Sequence, residues 1–197
     1  MCPSDTDASV SFGYQPVLKG ELVELRPLRS EDYDDLYSIA ADPLMWEQHP
    51  ERDRHEEAVF QEFFRRAVAS GGALVAIDAR TRQMIGSSRF DGFDQERSEV
   101  EIGWTFLARS HWGGMYNGDM KRLMLQHAFQ SVDNVVFCVG VENLRSQRAV
   151  EKIGGLRVGS RPDADGQDHY IYRITRNPTR RNSEPRSSSR SESASSP

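Results

Sequence analysis

The stretch EIGWTFLARSHWGGMYNGDMKRLML, residues 101–125, decides the fold of this 197-residue chain. The predicted strand begins just before this stretch and covers Glu99 to Leu107, which has the apolar, β-branched content of a strand. The predicted helix, Lys121 to Ser131, has helical periodicity and extends beyond the stretch. The loop between them carries the glycines Gly113, Gly114 and Gly118. A strand, a short loop and a helix start leave free amides at the positive end of the helix dipole, which favours a phosphate or pyrophosphate. Because the spacing fits no standard nucleotide motif, glycines that merely turn the chain remain an alternative.

The elements on either side of this stretch alternate in type. The run Val135 to Val141 is continuously apolar, as in a buried strand, and Ser146 to Ile153 follows as a short helix ended by two glycines. The remaining predicted strands are Glu21–Leu28, Ala73–Asp78, Met84–Phe90, Leu156–Ser160 and Tyr170–Thr175, and the remaining predicted helices are one capped by Ser30 and one over Glu56–Ala69. The order predicts a mixed α/β sheet.

Composition divides the chain into three parts. We expect a flexible N-terminal segment over residues 1–16, one domain over residues 17–176 and a disordered tail over residues 177–197. The tail holds eight serines, and Ala194 is its single apolar residue, so it cannot offset its ordering entropy by burial. It carries four basic and two acidic residues, so the rest of a chain of formal charge −5 carries −7.

Several classes of protein are disfavoured. The two cysteines, Cys2 and Cys138, form no framework or CxxC pair, which favours a reduced compartment. No apolar run approaches the ~20 residues of a membrane helix, so we expect a cytoplasmic protein with no membrane partner. The acidic charge argues against nucleic acid. Five scattered histidines without HExxH spacing argue against a metal, and no GxSxG elbow indicates a serine hydrolase.

Taken together, EIGWTFLARSHWGG and the later NLRSQRAVEKIGGLRVGS resemble the GNAT superfamily of acyl-CoA-dependent N-acyltransferases. The resemblance spans residues 17–176 and is strongest to the branch of ribosomal-protein N-terminal acetyltransferases. It implies an α/β (α+β) fold, a mixed, mostly antiparallel central sheet with helices on both faces. It also implies acetyl-CoA as acyl donor without a metal, and an acceptor that is a small-molecule amine or a protein N-terminus.

The resemblance implies a coenzyme site in the two motifs. The loop that would wrap the pyrophosphate comprises Trp112, Gly113, Gly114, Met115, Tyr116, Asn117 and Gly118. Met115 and Asn117 depart from the family pattern, in which small residues stand at these positions. Phe106 and Leu107 fall where the family splays its strands to admit the pantetheine. Asn143 would face the pantetheine and Ser146 would protonate the thiolate, although both are also common helix caps.

The acceptor must lose a proton before it attacks the thioester, because an amine is an ammonium near neutral pH. Glu99 and Glu101 lie two residues apart on one face of a strand. The resemblance points to Glu101 as base or water relay, with Glu99 beside it on the acceptor side; a solvated carboxylate is the alternative. Trp46, His49 and Arg89 are candidate acceptor contacts, although Trp46 could equally be a core residue.

We therefore expect direct acetyl transfer in a ternary complex, because the motifs supply no matched nucleophile and base. A catalytically silent coenzyme A-binding or sensing module on the same fold is the competing interpretation. The charge of −7 favours a cationic acceptor slightly. Acceptor identity is otherwise open on a fold that hosts many amines, and the chain is expected to be a monomer or a homodimer.

Overall fold

The computed structural model describes residues 11–163 and 166–177. Nearly all of the predicted tail, and residues 1–10 of the predicted N-terminal segment, lie outside the described residues. The strands within these ranges are β1 (Leu18–Lys19), β2 (Val23–Pro27), β3 (Ala73–Asp78), β4 (Met84–Asp94), β5 (Glu99–Leu107), β6 (Asn134–Gly140), β7 (Leu156–Pro162) and β8 (Asp168–Thr175). The helices there are α1 (Tyr33–Ala40), α2 (Glu57–Ala69), α3 (Tyr116–Ala128) and α4 (Leu144–Lys152).

The eight strands form one sheet in the order β1-β2-β3-β4-β5-β6-β8-β7. Of the strand pairs in the described residues, β5 with β6 is parallel and the others are antiparallel. A parallel pair needs a crossover connection, and α3 supplies it. The predicted mixed, mostly antiparallel sheet is confirmed.

Alternation along β3 shows that helices cover both faces of the sheet. Leu74 belongs to a core cluster that includes Met120 and Met124 of α3. Val75, the next residue, belongs to a second cluster that includes Phe60 of α2. Successive strand side chains point to opposite faces, so α3 lies on one face and α2 on the other. The prediction of helices on both faces is confirmed.

Helix α3 begins at Tyr116, five residues before the predicted start at Lys121. Gly118 in its first turn weakens the helical pattern, because glycine is a poor helix former. Asp119 compensates: its Oδ2 accepts hydrogen bonds from the backbone N–H groups of Leu22 and Val23 at 2.9 and 3.1 Å. A carboxylate in the first turn also suits the helix dipole.

The structure corrects the predicted flexible N-terminal segment at Phe12, which is 6% exposed. Its ring makes an edge contact with Phe90, with ring centroids 5.2 Å apart, and stacks on Phe93 at 5.8 Å. The Tyr14 hydroxyl accepts a hydrogen bond from the Phe93 N–H at 3.0 Å. The sequence missed this packing because an isolated aromatic in a polar stretch has no periodicity.

Candidate functional site

The site lies where β5 and β6 separate. Their pairing covers Glu99–Glu101 against Asn134–Val136, although β5 continues to Leu107 and β6 to Gly140. Beyond the pairing, a cavity of about 620 Å³ opens between the two strands. The splayed strands that the resemblance implies are therefore present, and Phe106 and Leu107 line the opening.

A bulge in β5 accompanies the separation. Ser87 pairs with Phe106 and Arg89 pairs with Gly103, so one residue of β4 faces two of β5. One of those two, Trp104, has φ of 50°, which a bulky residue seldom adopts. An extra residue bends a strand and increases its twist, which is how β5 turns away from β6.

The charges around this cavity, which we call the cleft, have one sign. Lys121, Arg145, Arg148 and Lys152 line it, and no Asp or Glu is among its described lining residues. The whole chain has a formal charge of −5, so this cationic lining is a local concentration against the net charge. Low-dielectric walls focus such a field, and the cleft therefore favours an anionic ligand.

The glycine loop borders the cleft, with the exception of two residues. Trp112, Gly113, Gly114, Asn117 and Gly118 line the cleft, whereas Met115 and Tyr116 do not. The Met115 side chain is 75% exposed. Gly113 has φ of +69°, and a Cβ on Gly113 or Gly118 would meet nothing within 4 Å. The backbone at both glycines is thus open to a ligand beside the start of α3, where unpaired amides suit a phosphate.

Tyr116 instead fastens the loop to the rest of the sheet. Its hydroxyl donates to Asp78 Oδ2 at 2.8 Å, and His111 Nε2 lies 3.5 Å from the same oxygen. Asp78 is 2% exposed, and its pKa is well below the usual range, mainly because it accepts the Thr81 N–H. The sequence analysis missed Asp78, which ends a strand and lies 38 residues from Tyr116.

Asn143 and Ser146 lie together at the start of α4 and both line the cleft. Asn143 is 6% exposed, and its Oδ1 accepts the Ser146 N–H at 3.1 Å. Asn143 is therefore the N-cap of α4, the helix-capping role that the sequence analysis gave as its alternative. It also lines the cleft.

Arg145, between them, was not singled out by the sequence. Its guanidinium carbon lies 3.9 Å from the centroid of the Trp112 ring, and its Nη2 donates to the Met45 carbonyl at 2.7 Å. Burial lowers its pKa, although nearby Glu47 opposes the shift. Trp112 is itself held by a 2.7 Å hydrogen bond from its indole N–H to the Leu107 carbonyl.

Lys121 was also missed, because a lysine in an amphipathic helix usually faces solvent. Here it is 4% exposed and lines the cleft. Its Nζ donates to Thr105 Oγ1 at 2.5 Å and to Ser88 Oγ at 3.0 Å, and makes no ion pair with a described carboxylate. Desolvation by burial lowers its pKa to about 7.

A second cavity of about 520 Å³ adjoins the cleft, and we call it the side cavity. Among the residues that line the side cavity but not the cleft are Glu101, Arg54 and Arg161. The residues that line both spaces are His49, Pro50, Gly103, Trp104, Cys138 and His169. A molecule in the side cavity would therefore reach the cleft at the β5 bulge.

Glu101 is a partly buried carboxylate in the side cavity, next to this junction. Its side chain is 16% exposed, and burial raises its pKa while Arg161, with Nη2 3.6 Å from Oε2, opposes the rise. A carboxylate with a raised pKa is a better base near neutral pH than an ordinary one. The neighbouring Cys138 thiol has a pKa of about 11, because burial and the Glu101 charge disfavour its thiolate.

Of the four predicted acceptor contacts, two line a cavity and two do not. Trp46 and His49 line the cleft, and His49 also lines the side cavity. Trp46 is 2% exposed and donates from Nε1 to the Ala40 carbonyl at 2.7 Å, so it is also a core residue. Burial lowers the pKa of His49 to about 3, so this imidazole is neutral near neutral pH.

The structure places Arg89 and Glu99 outside the lining of the two cavities, so it gives their predicted acceptor contacts no support. Arg89 lies 3.5 Å from Asp91 and under the Trp104 ring, 4.3 Å from its centroid. Glu99 pairs with Arg173 at 3.1 Å. Glu99 shares a face with Glu101, but it lies two residues farther from the point where β5 and β6 separate. The positive charge that faces it is Arg173 of β8.

Two further observations concern the described ranges, residues 11–163 and 166–177. No group of three or more His, Cys, Asp or Glu side chains there could hold a metal ion. None of the helices in those ranges combines the length and apolar composition needed to cross a membrane.

A family model described as Acetyltransferase (GNAT) domain matches residues 23–155. The match covers more than half of the chain, which therefore belongs to the GNAT family of acetyltransferases. A search of curated proteins finds no significant match.

Solved structures agree on the fold. A GCN5-related N-acetyltransferase from Brucella melitensis is 18% identical, with a TM-score of 0.74 over 84% of this chain and 80% of that one. A GNAT-family acetyltransferase from Bacillus anthracis is 19% identical, with a TM-score of 0.65 over 81% and 98%. A candidate ribosomal-protein-serine acetyltransferase from Vibrio cholerae is 11% identical, with a TM-score of 0.65 over 83% and 99%. At these identities the likeness is one of fold.

Proposed function

We propose that this protein transfers an acetyl group from acetyl-CoA to a primary amine, directly within a ternary complex. The cleft is the observation that carries the proposal. It is an opening between β5 and β6 with a helix start and a glycine loop at its border, and its charged lining residues are all cationic. Coenzyme A combines a diphosphate with a long uncharged arm, which such a space accommodates.

The diphosphate would bind the backbone amides between Gly113 and Gly118, where the glycine backbone is open. The pantetheine arm would lie along the splayed edge of β5, past Phe106 and Leu107, and use backbone groups that β6 leaves unpaired there. Asn143 would meet the arm from the opposite wall. Arg145, Arg148, Lys121 and Lys152 would balance the negative charge of the coenzyme.

The acceptor amine would enter through the side cavity. Glu101 would take the ammonium proton, directly or through water, and the neutral amine would attack the thioester carbonyl at the β5 bulge. As the carbon–sulfur bond breaks, Ser146 would give a proton to the departing thiolate and regain one, directly or through water, from the nitrogen that becomes the amide. A Cys138 thiol with a pKa of about 11 stays protonated near neutral pH and is a poor acyl carrier, which supports direct transfer.

The side cavity supports an acceptor that carries positive charge. Its lining includes the carboxylates of Glu51, Glu101 and Asp163 and the cations of Arg54 and Arg161. The net charge outside the tail adds a long-range attraction that salt would screen. A small-molecule amine and a protein N-terminus both fit this description. The Vibrio cholerae neighbour supports the second of these acceptors only at the level of the fold.

The proposal is tested in two stages. Acetyl-CoA at about 100 times its Kd should raise the stability of the folded protein by about 2.7 kcal/mol and raise its Tm. An amine and peptide panel with thiol detection should then show acceptor-dependent release of coenzyme A. Absence of any Tm shift at millimolar acetyl-CoA would refute coenzyme binding. A shift without turnover on the whole panel would favour the silent binding module.

A further inference from the structure

The connection between α1 and α2, residues 42–56, forms much of the wall between the two cavities, and we call it the acceptor segment. Met45, Trp46 and Gln48 of this segment line the cleft, whereas Glu51 and Arg54 line the side cavity. Its position therefore affects the space available to an acceptor. The segment is joined to the coenzyme side of the cleft by a small number of contacts.

Arg145 supplies polar contacts of this kind and links three parts of the molecule. Its guanidinium stacks over Trp112, the residue before Gly113 in the coenzyme loop. The same guanidinium donates from Nη2 to the Met45 carbonyl, and the Arg145 backbone N–H donates to Gln48 Oε1 at 3.1 Å. No described carboxylate forms an ion pair with Arg145, so its orientation depends on the ring and the carbonyl.

We propose that Arg145 is a positioning residue that couples occupancy of the coenzyme loop to the conformation of the acceptor segment. The inference rests on the proposed coenzyme binding. A guanidinium is a rigid plane, so fixing the plane on Trp112 also fixes the direction of its N–H toward Met45. A ligand held by the amides after Trp112 restricts that ring, and the restriction passes through Arg145 to residues 42–56.

Besides the packing of Trp46 on Phe106, with ring centroids 5.6 Å apart, the other polar links between the two sides are exposed pairs. Arg52 and Glu142 lie 3.6 Å apart with side chains 69% and 81% exposed. Arg109 pairs with Asp42, and their side chains are 43% and 31% exposed. Exposed ion pairs contribute little on average and are screened by salt. Among the polar links, Arg145 is the stronger coupling element, because it is stacked and hydrogen-bonded at the same time.

The chain contains a matched control for the test. Arg148 lies on the same helix and lines the same cleft, but its side chain makes no hydrogen bond or ion pair with another described residue. Arg145→Met and Arg148→Met each remove one cation from the cleft, so both should weaken coenzyme binding electrostatically. Arg145→Lys retains the positive charge but loses the planar guanidinium that stacks on Trp112. Gln48→Ala removes one exposed contact of the segment and leaves the core unchanged.

Hydrogen exchange with and without saturating coenzyme A measures the coupling without turnover. In the wild type and Arg148→Met, coenzyme A should slow exchange in residues 42–56 by about fivefold, the lower end of typical coupling between sites. In Arg145→Met and Arg145→Lys this effect should disappear, while exchange in residues 113–118 still slows. Gln48→Ala should show a reduced effect.

Undiminished protection of residues 42–56 in Arg145→Met, Arg145→Lys and Gln48→Ala would overturn the role of Arg145. Where Arg145→Met does not fold, Arg145→Lys and Gln48→Ala decide the question. If coenzyme A protects neither segment in the wild type, the proposed coenzyme binding itself fails, which is a different result. Once an acceptor is identified, coenzyme and acceptor should raise each other's affinity by equal factors, and Arg145→Met should abolish that factor.

Discussion

Replacing Lys121 by methionine should remove a pH dependence from the stability of the protein. Burial lowers the pKa of Lys121 from 10.5 to about 7, whereas the unfolded chain keeps the ordinary value. Between these pH values the unfolded chain binds about one proton more than the folded chain, so the free energy of unfolding rises with pH. At about 1.4 kcal/mol per pKa unit, Lys121 adds about 2 kcal/mol of stability between pH 7 and pH 9.

Urea unfolding followed by circular dichroism at pH 7 and pH 9 measures this effect. The wild type should gain about 2 kcal/mol more than Lys121→Met over that interval, because other titrating groups cancel in the comparison. Lys152→Met, an exposed lysine on the same cleft, is the matched control and should follow the wild type. Parallel pH dependence in the wild type and Lys121→Met would show that Lys121 is not desolvated as the structure indicates.

Four further results are expected. Glu101→Gln should lower kcat by about 10² to 10⁴ with near-normal coenzyme Kd, and it should abolish the acidic limb of the rate profile that wild-type Glu101 causes as it protonates. Cys138→Ala should retain activity, and an acetylated Cys138 trapped by mass spectrometry would contradict direct transfer. Tyr116→Phe should weaken coenzyme binding severalfold in calorimetry, because the buried Asp78 loses a hydrogen bond that holds the loop. Phe12→Ala should lower the free energy of unfolding by about 3 to 5 kcal/mol, and a change below about 1 kcal/mol would show that Phe12 is not a core residue.

Much of the local structure could be predicted from residue order. The bounds of β3 and β5 were predicted without error, because each is a compact run of strand-forming residues between clear turn signals. The glycine loop, Ser146 and Glu101 were also selected from sequence, since two separated motifs carry them. All of these features depend on neighbours within a few residues of one another.

Residues whose roles depend on distant partners were missed, or were predicted at the acceptor site without support from the structure. Arg89 and Glu99 have chemistry suited to an acceptor site, but Trp104 stacks on Arg89 and Arg173 pairs with Glu99, and neither Arg89 nor Glu99 lines a cavity. Arg145 gains its significance from Met45, 100 residues earlier in the chain. Neither hydrophobic periodicity nor a short motif predicts contacts between residues so far apart in the chain.

The sequence by itself determined the order of the strands and helices apart from the two-residue β1, the family resemblance and the approximate location of the glycine loop. Tertiary structure alone decided that β5 bulges at Trp104 and leaves β6, and that Lys121 is buried beside the opening. Local periodicity reports which face of an element is apolar. The pKa of a lysine or the direction of an arginine depends instead on which distant groups the packed sheet brings within a few ångströms.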